Sequence, residues 1–180
     1  MSEIFDCVRQ NDVTKMQKLL TNSHSWVDIM DEEGNTPLMV ACRLGFVDCV
    51  RILIASGADV LHVNRTGINA LTLAALSGCV ETIKCLLMVT PIEHHIQTTL
   101  IPPLTAAIFG GHRKAVNFLL PFHETLSSTT TREGNTPLML SLIFEHYNML
   151  DLFSDEPLHL KNSLGMTVGD ILEYRRKFMN

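Results

Sequence analysis

The sequence predicts an all-α fold, a solenoid of stacked helix-turn-helix units forming one domain over residues 1–180. Three observations predict it. The segment Gly34-Asn35-Thr36-Pro37-Leu38-Met39 returns one hundred residues later as Gly134-Asn135-Thr136-Pro137-Leu138-Met139, close to three periods of about 33 residues. Worn copies lie between them: Leu38, Leu71, Leu104 and Leu138 fall in register, as do Ala41, Ala74, Ala107 and Ser141. The downstream part of each copy has helical spacing. Val47, Val50, Leu53 and Ile54 share a face that excludes Asp48 and Arg51, and Val80, Ile83, Leu86 and Leu87 repeat it with Glu81 and Lys84 outside. A unit of this size cannot bury its apolar face alone, so such copies stack.

Each element follows from local chemistry. In the leading copy, Ile4 and Cys7 belong to a first helix, and Val13, Met16, Leu19 and Leu20 to a second. Asn11 stands between them where later copies have glycine, and Asn tolerates a left-handed backbone better than most residues. In the next copy Thr36 caps a helix whose first turn accepts Pro37. Gly45, Gly78 and Gly111 end the first helices, with Glu145 in that place in a further copy. Val50, Ile83, Val116 and Leu150 align in the second helices, followed by Leu53, Leu86, Leu119 and Phe153. Gly165-Met166-Thr167 restarts the motif, and Val168 to Phe178 reads as one terminal helix with a polar tail, as an end cap should have. Four full or nearly full repeats and a terminal half are expected. The unit boundaries fall near 1–30, 31–63, 64–96, 97–130 and 131–161, with a cap over 162–180.

The best copy runs from Asp31 to Val60 and combines Thr36-Pro37-Leu38, Gly45 and the closing Gly57-Ala58-Asp59. It resembles the ankyrin-repeat family, whose signature is T-P-L-H-x-A, and the likeness covers nearly the whole chain. Four departures stand out. Leu100 replaces the finger glycine of the third copy, and Pro102-Pro103 replaces Thr-Pro. Thr90-Pro91 replaces the usual Gly-Ala, so a nonstandard loop is expected through Glu93, His94 and His95. A loop from Phe122 to Thr131 carries Ser127-Ser128-Thr129-Thr130-Thr131, read as a solvated loop or a phosphorylation target beside Arg132. Gly169 takes an apolar leucine position, which predicts a loosely packed cap.

Composition narrows the function. Apolar residues make up 46% and charged residues 18%, enough for a core and too little charge for a disordered chain. The net charge is −5 without a basic stripe, which argues against nucleic acid. The longest apolar run is too short to span a bilayer, and the N-terminus does not read as a secretory signal. The five cysteines, Cys7, Cys42, Cys49, Cys79 and Cys85, make an odd count without C-x-x-C pairs. A cytosolic or nuclear setting is expected. Cys79, Cys85, His94 and His95 lack the spacing of a zinc site, and His112 reads as a structural residue at a turn. Nucleophile and phosphate-binding motifs are missing, and Glu32-Glu33 sits on an exposed tip. Neither catalysis nor a cofactor is expected.

The resemblance implies hairpin fingers, a palm of first helices, and a protein ligand on that concave side. Finger positions are then Glu32, Glu33 and Asn35; Arg65, Thr66 and Ile68; Thr98, Thr99 and Ile101; and Arg132, Glu133 and Asn135. Palm positions are Arg43-Leu44, Leu76-Ser77, Phe109-Gly110 and Ile143-Phe144. The family commonly has polar residues there, whereas Leu44, Leu76, Phe109, Ile143 and Phe144 are apolar, with Ile68 and Ile101 above them. An exposed apolar strip marks an interface, so the candidate binding residues are these seven with Arg43, Arg65 and Arg132. The expected ligand is an apolar peptide or amphipathic helix of another protein. The alternatives are a palm covered by the chain's own loops, or palm residues tilted into the core. Three roles fit: an adaptor, a direct inhibitor of a kinase or transcription factor, or a self-associating homodimer. Acidic fingers at Asp28, Asp31, Glu32 and Glu33, and a basic end at Arg175, Arg176 and Lys177, would orient a partner of opposite polarity.

Overall fold

A computed structural model describes residues 3–122 and 131–178, with His24 described by its backbone alone. Helices α1 (Glu3–Arg9) and α2 (Val13–Asn22) form the first antiparallel pair, α3 (Pro37–Leu44) and α4 (Val47–Ala55) the second, and α5 (Ala70–Ser77) and α6 (Val80–Leu87) the third. A short helix α7 (Ile92–Thr98) follows, then the pair α8 (Pro103–Phe109) and α9 (Arg113–Leu119). Helix α10 (Pro137–Ile143) pairs with a 3-10 segment, Tyr147–Phe153, and α11 (Val168–Phe178) closes the stack. Among the described residues the regular structure is helical, with one isolated antiparallel bridge, Val63 to Asn69.

The helices stack in two rows. The first helices pack in the order α1, α3, α5, α8, α10, α11, and the second helices α2, α4, α6, α9 and the 3-10 segment form the row behind. Small residues allow the first row to close up: Ala41, Ala74, Ala107 and Ser141 are fully buried. Leu53, Leu86, Leu119 and Phe153 seal the gap between rows at one level, and Val50, Ile83 and Val116 at the next. In the fifth unit Met149, not the expected Leu150, enters that second level. The 3-10 segment winds at three residues per turn, so it turns a different side chain inward than an α-helix would.

The caps form as their residues dictate. Thr36 Oγ1 accepts from the Met39 amide at 3.4 Å and Thr136 Oγ1 from the Met139 amide at 3.3 Å. Asn69, at the same point of α5, accepts from the Thr72 amide at 3.0 Å. Gly45, Gly78 and Gly111 adopt left-handed φ values of 71°, 73° and 71°, and Asn11 and Glu145 substitute at 53° and 64°. Gly78 has a second reason to be glycine. A Cβ there would lie 2.5 Å from Nδ1 of His112, whose ring covers it from the next repeat. His146 covers Gly111 in the same way.

The segment after α6 corrects one expectation. Glu93, His94 and His95 lie on α7 rather than in a loop, and α7 runs through the point near 96 where a unit boundary was expected. Pro91 starts this helix, and Ile92, His95 and Ile96 form an inward stripe at helical spacing. His95 is fully buried. Terminal helix α11 spans the residues expected of it, with Val168 and Ile171 buried against the stack. Thr167 and Asp170 cap it reciprocally, the Asp170 carboxylate accepting from the Thr167 amide at 2.8 Å and Thr167 Oγ1 from the Asp170 amide at 3.3 Å. Gly169 is exposed and leaves the leucine position of this last unit empty. The residues 127–130 of the Ser/Thr run lie outside the described residues.

Candidate protein-binding groove

The first helices present their exposed edge beneath the fingers, and between the third and fifth units this edge hollows into an open groove of about 540 Å³. Its floor is apolar. Leu76 comes from α5, Ala106 and Phe109 from α8, and Leu140, Ile143 and Phe144 from the end of α10. The fingers contribute Ile68, Leu100, Ile101 and Pro102 on one side and Thr131, Arg132, Glu133 and Asn135 on the other. Phe109 is 58% exposed, and Ile101 and Ile143 are each 40% exposed. Ile68, Leu76 and Phe144 are half-buried and rest on the core. Phe109 and Phe144 meet edge to face with ring centroids 5.0 Å apart.

Seven of the ten expected residues therefore converge: Ile68, Leu76, Ile101, Phe109, Arg132, Ile143 and Phe144. Leu44, Arg43 and Arg65 do not join the groove. Leu44 and Arg43 end α3, one repeat before the hollow begins, and both are exposed. Arg65 sits at the second finger tip, where its backbone amide donates to the Glu33 carbonyl at 3.1 Å. Thr72, Leu100, Pro102, Thr105, Ala106 and Leu140 also line the groove, although the sequence did not mark them as binding residues. Thr72, Thr105, Ala106 and Leu140 stand one turn before the palm residues on the same helix face, so helical periodicity could have found them. Leu100 could not have been found this way, because it departs from the repeat. It packs over Gly67 and donates its amide to the Gly67 carbonyl at 2.7 Å.

A buried polar network holds the wall that carries Leu100 and Ile101. The Asn69 amide donates to the His95 carbonyl at 2.7 Å and to Thr98 Oγ1 at 3.1 Å. The Thr72 hydroxyl lies 2.9 Å from the Ile101 carbonyl and 3.1 Å from the Thr99 hydroxyl. The fingers are tied to each other by side-chain amides: Asn64 donates to Asn35 at 2.8 Å, and Asn162 to Asn135 at 2.9 Å. Buried, satisfied networks of this kind fix one arrangement of the backbone. At the first finger, burial opposes ionisation of Asp31, but donors from Asn35 and Glu33 and the charge of Arg43 hold its carboxyl below the usual range.

Burial holds three titratable side chains in their neutral forms. Burial pushes the Cys42 thiol far up and Cys49 up to about 11, so neither is a thiolate near neutral pH. Burial, with His94 nearby, pulls His95 down to about 4, and neither ring nitrogen has a hydrogen-bond partner. Among the described residues, groups of three or more His, Cys, Asp or Glu placed to hold a metal ion do not occur. Among the same residues no helix is long and apolar enough to cross a membrane.

A two-row stack of short helix pairs joined by tight turns defines the class of helical repeat solenoids. Residues 4–99 match the family of ankyrin repeats, in three copies. The chain is 34% identical over 143 residues to the DNA replication inhibitor plutonium of Drosophila melanogaster, covering 76% of this chain and 79% of that protein. It is 35% identical over 86 residues to inversin of Gallus gallus, spanning 48% of this chain but 8% of inversin. The human ASB11 ankyrin repeat domain superposes with a TM-score of 0.73 over 95% of this chain and 91% of that one, at 19% identity. The chain belongs to the ankyrin-repeat family. Ankyrin repeats are in general protein–protein interaction modules, and the comparisons indicate no enzyme family.

Proposed function

We propose that this chain is a non-catalytic binding module that holds an apolar segment of a partner protein in the groove between its third and fifth units, as an adaptor or scaffold. The observation that carries this reading is the exposure of Phe109. A phenylalanine 58% exposed contributes little to the fold beyond its edge-to-face contact with Phe144, yet its ring lines a continuous apolar floor. Side chains at the core of an interface are desolvated on binding, and aromatic residues there contribute most of the affinity. Arg132 and Glu133 at the rim supply the polar border that such interfaces have. The test is affinity capture from extract with the natural chain, with a Phe109→Asp/Ile143→Asp variant, and with Lys18→Asp on α2 as a control. Partners lost with the groove variant and kept with the control support the reading. Equal capture by all three would overturn it.

A second reading has its own support. Similarity to a protein named as a DNA replication inhibitor extends over most of both chains, which favours a direct regulator over a scaffold. In that case the groove variant would lose inhibition when added to a cell-free replication reaction that the natural chain slows.

A further inference from the structure

We propose that α7 is one of two forms of the segment that follows α6, the other being a hairpin finger in which the His95 ring bonds the Gly67 carbonyl. Exchange between the two moves the groove wall that carries Leu100 and Ile101.

Among the described residues, four fingers share one hairpin. Asp31, Asn64, Thr131 and Asn162 stand at its base. Three residues further on, Gly34, Gly67, Gly134 and Gly165 take left-handed φ values of 81°, 77°, 71° and 75°. Each base side chain accepts from the amide four positions on, at 2.8 Å from Asn35, 3.0 Å from Ile68, 3.2 Å from Asn135 and 3.0 Å from Met166. His62, two residues before the second base, places Nε2 2.9 Å from the Gly34 carbonyl of the preceding finger. One repeat of 33 residues after His62, Asn64, Gly67 and Ile68 stand His95, Gln97, Leu100 and Ile101. The third segment thus keeps the histidine and a base side-chain amide, and lacks the glycine.

Each form carries one defect. In the helix, His95 is fully buried and neither ring nitrogen has a hydrogen-bond partner, and an unsatisfied buried polar group weakens a fold. The Gly67 carbonyl, which the repeat assigns to that ring, accepts instead from the Leu100 amide at 2.7 Å and the Thr99 hydroxyl at 3.2 Å. In the finger the ring and that carbonyl pair, but Leu100 takes the glycine's place and must turn left-handed. Side chains resist that conformation. Outside glycine, Asn11 and Glu145 alone adopt it among the described residues. The two penalties are of the same order, so they leave the forms close in energy.

The exchange reaches the groove through Leu100 and Ile101, which line it. Refolding breaks the tie between Leu100 and Gly67 and withdraws Leu100 from the wall. An occupant that touches Leu100 therefore selects the helix. That coupling rests on the groove reading above, whereas the two forms do not.

Nuclear magnetic resonance on the whole chain tests this, because the two defects can be removed one at a time. His95→Leu relieves the helix and should slow amide exchange across Ile92–Thr98 about tenfold, with the other repeats unchanged. Leu100→Gly relieves the finger. It should replace helical carbon shifts over 92–98 by extended ones, with a new contact between the His95 ring and Gly67. Glu93→Gly/His94→Gly weakens the helix at two exposed positions that do not line the groove, and each glycine should raise the share of the finger about fivefold. Helical shifts retained in all three variants would overturn the proposal. So would random-coil shifts without the contact between His95 and Gly67, which would show local unfolding in place of a second form. The apolar dye anilinonaphthalene sulfonate probes the coupling. On the natural chain it should slow exchange in α7, and Phe109→Asp should abolish both its binding and that protection. Dye binding indifferent to Phe109→Asp would count against the groove and leave the two forms standing. Dye held by Phe109 that leaves α7 exchange unchanged would overturn the coupling.

Discussion

The ring of Phe109 meets that of Phe144 edge to face, at an interplanar angle of 86°, across the boundary between two repeats. The two residues nevertheless do different work. Phe144 rests on the core while Phe109 faces outward. Substituting Phe109 by Ser should leave thermal stability within about 1 kcal/mol of the natural chain, since it removes one exposed ring and one ring pair. Phe144→Ser should cost about 1–3 kcal/mol, because it also strips apolar contact from the core. Both should weaken partner binding at least about tenfold. Urea unfolding and a binding titration on the same samples separate the effects, and a strongly destabilised Phe109→Ser would show that the ring is part of the fold instead.

Gly78 is constrained from two directions, by its left-handed φ of 73° and by the His112 ring above it. Gly78→Ala should cost about 1 kcal/mol for the backbone alone and about 1–3 kcal/mol more for the overlap with the ring. In Gly78→Ala/His112→Ala the overlap disappears, so the double variant should be more stable than the sum of the two single losses. A double-mutant cycle by chemical denaturation reads this coupling. Strict additivity would mean that the ring moves aside at negligible cost.

Much of this architecture was legible because its signals are local. Thr36, Thr136 and Thr167 announce helix starts through their own hydroxyls, Gly45 and Gly78 announce stops, and Val168 to Phe178 reads as a helix from its spacing. Helix α7 was missed because its partner in space is far in sequence: Asn69 reaches across 26 positions to the His95 carbonyl. With Thr90-Pro91 in place of the usual pair, the repeat register no longer marked that segment, and two adjacent histidines read as polar loop. The groove was legible along the column Leu76, Phe109 and Ile143, where the repeat is regular. It was not legible at Leu100, whose position depends on the irregular third finger, nor at its N-terminal limit. Leu44 and Arg43 have the sequence pattern of palm residues, but the hollow begins one repeat later.

His95 makes stability depend on pH. Its imidazole is neutral in the fold, with a pKa of about 4 against an ordinary 6.5, so the unfolded chain binds the proton more tightly. Stability is then fully present above about pH 6.5, falls as pH drops through the window between 6.5 and 4, and levels off below the folded value. The loss attributable to this residue is on the order of 3 kcal/mol. His95→Leu should flatten that portion of the curve and raise stability at neutral pH, since two unpartnered ring nitrogens leave the core. Denaturant midpoints for the two proteins between pH 7.5 and 4.5 decide it: parallel curves would place the acid sensitivity elsewhere.

Asn69 couples the cap of α5 to the wall of the groove. Its side-chain oxygen accepts from the Thr72 amide at 3.0 Å, while its amide nitrogen donates to the His95 carbonyl at 2.7 Å. Thr36 and Thr136 occupy the same register position in their own repeats and perform the first task, Thr136 also bonding the Glu156 carboxylate. Asn69→Thr should therefore keep the cap and lose the tie to α7, and Asn69→Ala should lose both. The alanine variant should be destabilised by about 1–3 kcal/mol, combining a lost helix cap with the loss of one of the two hydrogen bonds to the His95 carbonyl, which keeps the Thr98 hydroxyl at 3.0 Å. The threonine variant should recover about 1 kcal/mol of that. Hydrogen exchange distinguishes them further. In Asn69→Thr the amides of α5 should remain protected while those of α7 exchange faster, and partner affinity should fall because Leu100 and Ile101 hang from that wall. Unaltered exchange in α7 would show that its inward stripe of Ile92, His95 and Ile96 holds the helix without the amide.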